Sequence, residues 1–317
     1  MKVIRYESII HEFDPWFNYR TTKFMTKEGL YGLWNWFDSE SWYPLGRSVG
    51  GTVYPGLMMT SSIIYWFLQW IAIPLDIRNV CVFIAPVFSG LTALTTYKLT
   101  KEATGKSAHG LFSALFIAVV PSYISRSAAG SYDNEAVAIF ALVYSFYTFL
   151  KAANSGSLLD SCVAAFAFLY MVASWGGYVF IINMIPIWVL AMIVLGKCDK
   201  QVYISYSVFY IIGHILSIQI LFVGFQAITS SEHMLSHFVF IILQVHYLLQ
   251  WIKGHTGQKA FQTLVRFFYF GLTAVLLVGF LYLSFTGASR WSGRSLTLLD
   301  PTYAKKFIPI VASVSEH

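Results

Sequence analysis

The chain has 317 residues, of which 57% are hydrophobic and only 11% charged, with a mean hydropathy of +0.62 and a formal net charge of +6. That balance excludes an ordinary water-soluble domain and reads as a polytopic membrane protein; its apolar runs lack strand-like alternation, which excludes a membrane barrel and leaves an all-α fold. The positive charge does not point to nucleic acid, because most lysines fall in short turns between apolar runs, where they mark the cytosolic side.

Both ends read as truncated. Residues 1–7 contain no apolar segment able to act as a signal or first anchor, and the chain stops at His317 straight after a polar stretch. Cys81, Cys162 and Cys198 are too few and too scattered for a disulfide framework or a paired-cysteine metal site, and are expected as buried thiols.

The first polar region carries His11-Glu12-Phe13-Asp14-Pro15-Trp16-Phe17-Asn18-Tyr19-Arg20. An Asp before Pro, followed by a run without breakers as far as Gly29, predicts a helix capped by Asp14, with Pro15 at its first position and the glycine at its end. Trp16, Phe17, Phe24 and Met25 suit a helix lying along a membrane interface. Trp34, Trp36 and Trp42 belong at headgroup level, and Gly50-Gly51 and Pro55-Gly56 turn the chain.

Nine candidate spans follow, over residues 57–73, 80–104, 107–124, 136–153, 159–174, 180–196, 202–227, 236–255 and 268–284. Lys98, Lys101 and Lys106 mark one cytosolic turn, Lys151 a second, Lys197 and Lys200 a third, Lys253 and Lys259 a fourth. These alternate with lysine-free turns near Trp175 and near Thr229. The segment 126–135 then lies on the opposite side. Asp14 can share a site with Asp133 only if an even number of crossings separates them, and three candidates intervene. The run 57–73, with Trp66, Gln69, Trp70 and the Pro74 stop, is the wettest and is expected to be re-entrant or interfacial. About eight spanning helices remain. The expected organisation is a long first lumenal loop over 1–85, a transmembrane domain over 86–284 containing the loop 125–135, and a final lumenal loop over 285–317.

Three acidic groups stand at expected helix starts on the same membrane side: Asp14, then Asp133 with Glu135, then Glu316. Each has a plain role available as a cap, since Asp133 precedes a helix and Ser313-Val-Ser-Glu316 has the form of a capping box. Together they offer more. Asp-x-Glu presents two hard oxygen ligands to Mg2+ or Mn2+ and leaves room for a distant carboxylate and phosphate oxygens. Arg126 serves either as a salt-bridge or snorkelling partner or as a neutraliser of phosphate. His214 and His246, inside spans, are expected to be core residues, and Trp175-Gly-Gly-Tyr178 suits either an interfacial belt or stacking on sugar.

The stretches 11–20, Ser122 to Glu135, and Leu299-Asp300-Pro-Thr-Tyr-Ala-Lys-Lys306 with Ser313 to Glu316 resemble, in that order, the catalytic subunit of the eukaryotic oligosaccharyltransferase. The resemblance runs through nearly the whole chain, from just after that family's first transmembrane helix to its last lumenal membrane-domain loop. It implies a GT-C type glycosyltransferase of the endoplasmic reticulum membrane with a lumenal active site. The implied reaction moves a preassembled oligosaccharide from dolichyl diphosphate onto asparagine in Asn-x-Ser/Thr of an acceptor polypeptide, alongside other oligosaccharyltransferase subunits. By the same resemblance Asp14, Asp133 and Glu135 hold Mn2+ or Mg2+, Asp14 and Glu316 engage the acceptor amide, and Arg126 stands near the pyrophosphate. The family's first helix and its lumenal C-terminal domain are absent from this stretch, so an incomplete form is expected. Other readings of the same residues are another dolichyl-phosphate-sugar transferase, an inactive membrane scaffold, or a transporter whose coupling ion sits on the two acids.

Overall fold

The computed structural model describes residues 7–255, together with Val3, Thr263 and Gly271. The chain divides into two compact units, Met1–Phe240 and Ile241–His317. The described part is helical apart from one two-residue hairpin, which agrees with the all-α expectation.

Helix α1 covers Phe13–Trp34 and is bent at Gly29, whose φ of 74° breaks the helical path. Glu12, not Asp14, occupies the N-cap, and Asp14 falls in the first turn, where a carboxylate is favoured by the helix dipole. Gly29 therefore kinks the helix where the sequence pattern predicted its end. Strands β1 (Phe37–Asp38) and β2 (Arg47–Ser48) pair antiparallel, Phe37 with Ser48 and Asp38 with Arg47. The hairpin is tied to α1 by Arg20, whose Nη2 lies 3.0 Å from Asp38 Oδ1 and 2.6 Å from Glu40 Oε2, and by Phe24 stacked on Trp36 at 4.0 Å.

Helix α2 (Gly56–Trp70) has 15 residues, about 22 Å at 1.5 Å per residue, less than the ~30 Å of a hydrocarbon core. Helix α3 runs over Ile77–Thr104, opened by Asp76, which accepts from Arg78 N at 2.7 Å, and closed by Gly105 in a left-handed cap. Helix α3 thus starts three residues ahead of the expected span over 80–104. The run 107–124 is not one helix: α4 (Ser107–Val119) stops at extended Val120 and α5 (Pro121–Arg126) starts again, since a proline lacks the N–H and disfavours helix at the residue before it.

Helices α6 (Glu135–Ser155), α7 (Leu158–Ser174) and α8 (Tyr178–Val194) match expectation closely. Helix α9 (Lys200–Ile218) ends well short of 227, and the chain turns before the single-turn α10 (Gln226–Thr229). A 3-10 turn over Ser231–His233 leads into α11, Met234–His255. Apart from Gly271, the run 268–284 lies outside the described residues. Among the described residues, α3, α6, α9 and α11 are long and apolar enough to cross a membrane, and α4, α7 and α8 are shorter apolar helices.

Helix α6 packs between α3 and α7, and α9 lies against α6 and α7. Small side chains let these backbones approach: Ala138, Ala141 and Ala152 of α6 and Ala164 and Ala165 of α7 are fully buried. Cys81 and Cys198 are buried free thiols as expected, but Cys162 is only half-buried. His214 is a core residue, its Nδ1 2.9 Å from Tyr210 O, whereas His246 is half-exposed and pairs with Gln250 on its own helix at 2.9 Å.

Candidate functional site

Between α5 and α6 the loop 127–134 is strapped from two sides through one residue. Gly130 N donates to Val82 O of α3 at 3.1 Å, and Gly130 O accepts from His11 N, also at 3.1 Å. Gly130 has φ of 94°, and a Cβ there would collide with Ile9 O and come within 2.8 Å of His11 Cδ2. Only glycine allows the segment ahead of α1 to lie flat on this loop.

Tyr132 anchors the loop from beneath. Its side chain is fully buried, its hydroxyl 2.8 Å from Thr22 Oγ1 of α1 and donating to Ser61 Oγ of α2 at 2.7 Å. Burial pushes its phenol well above the usual range, the Cys81 thiol adding to this and the bonds to Ser61 and Thr22 opposing it, so it stays neutral.

That scaffold delivers Asp133 to α1. Asp133 Oδ1 accepts from Asn134 N at 2.6 Å and from Asn18 Nδ2 at 3.3 Å, and the same Asn18 nitrogen donates to Tyr132 O at 3.2 Å. Asn18 stands one turn beyond Asp14 on the same helix face, so the contact that holds Asn18 also brings Asp14 to the loop. Asp14 and Asp133 lie within electrostatic range of each other. The Asp133 carboxyl is raised above its ordinary value, first by burial and then by the Asp14 charge, against the lowering effect of Asn134 N–H, Arg126 and Asn18. Asp133 is half-buried and Asp14 exposed, and carboxylates of this kind are hard oxygen donors that favour a cation.

Glu135 opens α6, and its Oε2 lies 3.0 Å from Arg126 Nε, in a pair 27% and 52% exposed. Among the described residues no three His, Cys, Asp or Glu side chains converge closely enough to hold a metal ion. Of the expected triad, Asp133 is held against α1, the helix whose first turn carries Asp14, and Glu135 is paired to Arg126. Asp133 does not cap α6, whose N-cap is Asn134; its side chain turns to the Asn134 N–H instead. Glu316 and the loop 285–317 lie outside the described residues. Among the described residues Asn134 Oδ1 is buried without a hydrogen-bond partner, one further hard oxygen next to Asp133. The carboxylate oxygens of Asp14 and Asp133 and the Asn134 amide oxygen are hard donors, the type a divalent cation takes.

Asn18 and Tyr132 are absent from the residues that sequence reasoning singles out. The available signal was the spacing Asp14, Asn18, Thr22, a polar stripe at i, i+4 and i+8 on a helix otherwise rich in aromatics.

The family model described as oligosaccharyl transferase STT3, N-terminal, matches residues 2–317. The chain is 53% identical over 320 residues to the dolichyl-diphosphooligosaccharide–protein glycosyltransferase subunit STT3B of Arabidopsis thaliana, covering 99% of this chain and 43% of that protein. It is 50% identical over 320 residues to the STT3 subunit of Dictyostelium discoideum, covering 99% and 44%. The chain thus spans less than half the length of these relatives. In three dimensions it is similar to the archaeal oligosaccharyltransferase AglB from Archaeoglobus fulgidus in complex with an inhibitory peptide and a dolichol-phosphate, with a TM-score of 0.66 at 20% identity over 95% of this chain and 36% of that one. It also resembles the Archaeoglobus fulgidus enzyme in complex with Zn and sulfate, with a TM-score of 0.64 at 20% identity over 87% and 36%. At that identity the likeness concerns the fold.

Proposed function

Because the chain belongs to the oligosaccharyl transferase STT3 family, we propose that it forms the membrane portion of a catalytic subunit that transfers a preassembled oligosaccharide from dolichyl diphosphate to the asparagine of Asn-x-Ser/Thr. The observation that carries this reading is the bond from Asn18 Nδ2 of α1 to Asp133 Oδ1, which holds the helix that begins beside Asp14 against the acidic loop 127–134. The site belongs to the endoplasmic reticulum lumen, with about eight crossings and α2 lying at the interface. The partners are the lipid-linked donor, the acceptor polypeptide, membrane lipid and other subunits of the transferase. On this organisation residues 1–85 supply the first lumenal loop and α1, 86–284 the membrane domain, and 285–317 the final loop.

Asp14, Asp133 and Glu135 are the ligands of a divalent cation, Mn2+ or Mg2+, which when bound would offset negative charge growing on the departing diphosphate. The chain's own groups do the rest. A carboxamide nitrogen is a poor nucleophile because its lone pair is delocalised into the carbonyl. Asp14 and Glu316, by accepting its two N–H bonds, turn it out of conjugation. Arg126 faces the diphosphate and, being always charged and planar, binds its oxygens in pairs. A half-exposed ion pair is worth only ~0.2–1 kcal/mol, so exchanging the Arg126 to Glu135 contact for a phosphate and a cation costs little. Attack from the face opposite the leaving group inverts the anomeric carbon.

The test is glycosylation of a reporter sequon in cells that depend on the full-length protein, wild type against Asp133→Ala. The variant is expected to lose nearly all activity at unchanged protein level; equal activity in the two would refute the cation site. Labelling of a cysteine placed at Ser131 from the lumenal side only is expected, and cytosolic labelling would overturn the topology.

A further inference from the structure

Resting on the cation-site reading above, we propose that Asn18 is a positioning residue that decides which Asp133 oxygen faces the cation and keeps α1 in register with the acidic loop. Asn18 is 5% exposed and spends its side-chain nitrogen on two loop acceptors, Tyr132 O at 3.2 Å and Asp133 Oδ1 at 3.3 Å. With Asn134 N at 2.6 Å as well, Oδ1 receives two N–H donors, which fill its lone-pair directions. Among the described residues Oδ2 accepts no hydrogen bond, so the carboxylate is locked with that oxygen as its available donor. Both Asn18 bonds are long, and their contribution is orientation more than strength.

A second tie prevents Asn18 from sliding. Thr22 Oγ1 lies 2.8 Å from both Asn18 O and Tyr132 OH, and its single proton serves one of them at a time, while the Asn18 side chain reaches Tyr132 O directly. Asp14, one turn earlier, inherits that register. An amide suits the task because it donates without adding charge: a carboxylate here would repel Asp133, and a lysine would neutralise the charge a cation needs. Groups that orient a metal ligand in this way are worth about 10-fold to 100-fold in metal affinity when removed.

The experiment is a Mn2+ titration, read by electron paramagnetic resonance, of the purified full-length protein in lipid nanodiscs as wild type, Asn18→Ala, Asn18→Asp and Asp133→Ala. Asn18→Ala is expected to weaken Mn2+ about 10-fold, and saturating Mn2+ is expected to restore most of its turnover, a split that general loosening of the fold does not produce. Asn18→Asp separates position from charge. Were the site sensitive only to charge, an added carboxylate would tighten Mn2+; loss of the donor to Oδ1 is expected to weaken it. Wild-type affinity in Asn18→Ala, or tighter binding in Asn18→Asp, overturns the proposal. If Asn18→Ala gives no folded protein, the isosteric Asn18→Asp carries the test alone. Unchanged Mn2+ binding in Asp133→Ala would instead overturn the cation-site reading on which it rests.

Discussion

Gly130→Ala separates two costs that glycine avoids at this site, and Gly105→Ala isolates one of them. Gly105 has φ of 71° and nothing within 4 Å of the position a Cβ would take, so alanine there suffers the positive-φ penalty alone, about 1–2 kcal/mol. At Gly130 a similar backbone penalty is joined by collision with Ile9 O and His11 Cδ2. Relieving it moves the 9–11 strap outwards and breaks the 3.1 Å bond from His11 N to Gly130 O, adding ~0.5–1.5 kcal/mol for the bond and ~1–3 kcal/mol for overpacking. The expected excess of Gly130→Ala over Gly105→Ala is therefore about 2–4 kcal/mol. Thermal unfolding in nanodiscs, followed by tryptophan fluorescence, measures it at roughly 2–4 °C per kcal/mol. Reporter glycosylation should fall for Gly130→Ala and hold for Gly105→Ala. Equal melting and equal activity in the two variants would mean that the strap does not organise the loop.

Asp133→Asn is expected to stabilise the protein at neutral pH while abolishing transfer. The folded-state carboxyl is raised by burial and by Asp14, so the folded form holds the proton more tightly than the unfolded form, and stability contributed by the protonated acid is lost as pH rises through that raised value. A pH series of melting curves should show the variant gaining on wild type above the ordinary carboxyl range. His233 has the opposite sign: burial, with His214 and His237 nearby, lowers it to about 4, so stability is expected to fall as pH drops from 6.5 towards 4, and His233→Gln should flatten that slope in the same assay. Arg126→Gln should change melting by less than ~1 kcal/mol, because its pair with Glu135 is half-exposed, yet remove most transfer activity; proportional losses would make the arginine structural.

The expected span over 107–124 passed over the break at Val120, which Pro121 announces by local chemistry alone, because the apolar run continues through it. The end of α9 at Ile218 is harder to read, since Gln219 to Phe225 continues the apolar character of the helix and no proline marks the exit. Gly29 illustrates a third case, where a residue able to end a helix bends it instead because the aromatic helix continues to Trp34 and packs through Leu33.

Apolar run length and lysine placement determined on their own the membrane class and the helical fold, because burial in lipid and backbone satisfaction are local demands that composition records, while the family resemblance was carried by the stretches 11–20, 122–135, 299–306 and 313–316. Tertiary structure alone decided that Asn18 ties α1 to Asp133, that Tyr132 ties the loop to α1 and α2, and that Arg126 pairs with Glu135. These pairings join residues far apart in the chain, and their register follows from how α1, α2 and α3 pack, a choice made by shape and hydrogen-bond closure across the whole unit.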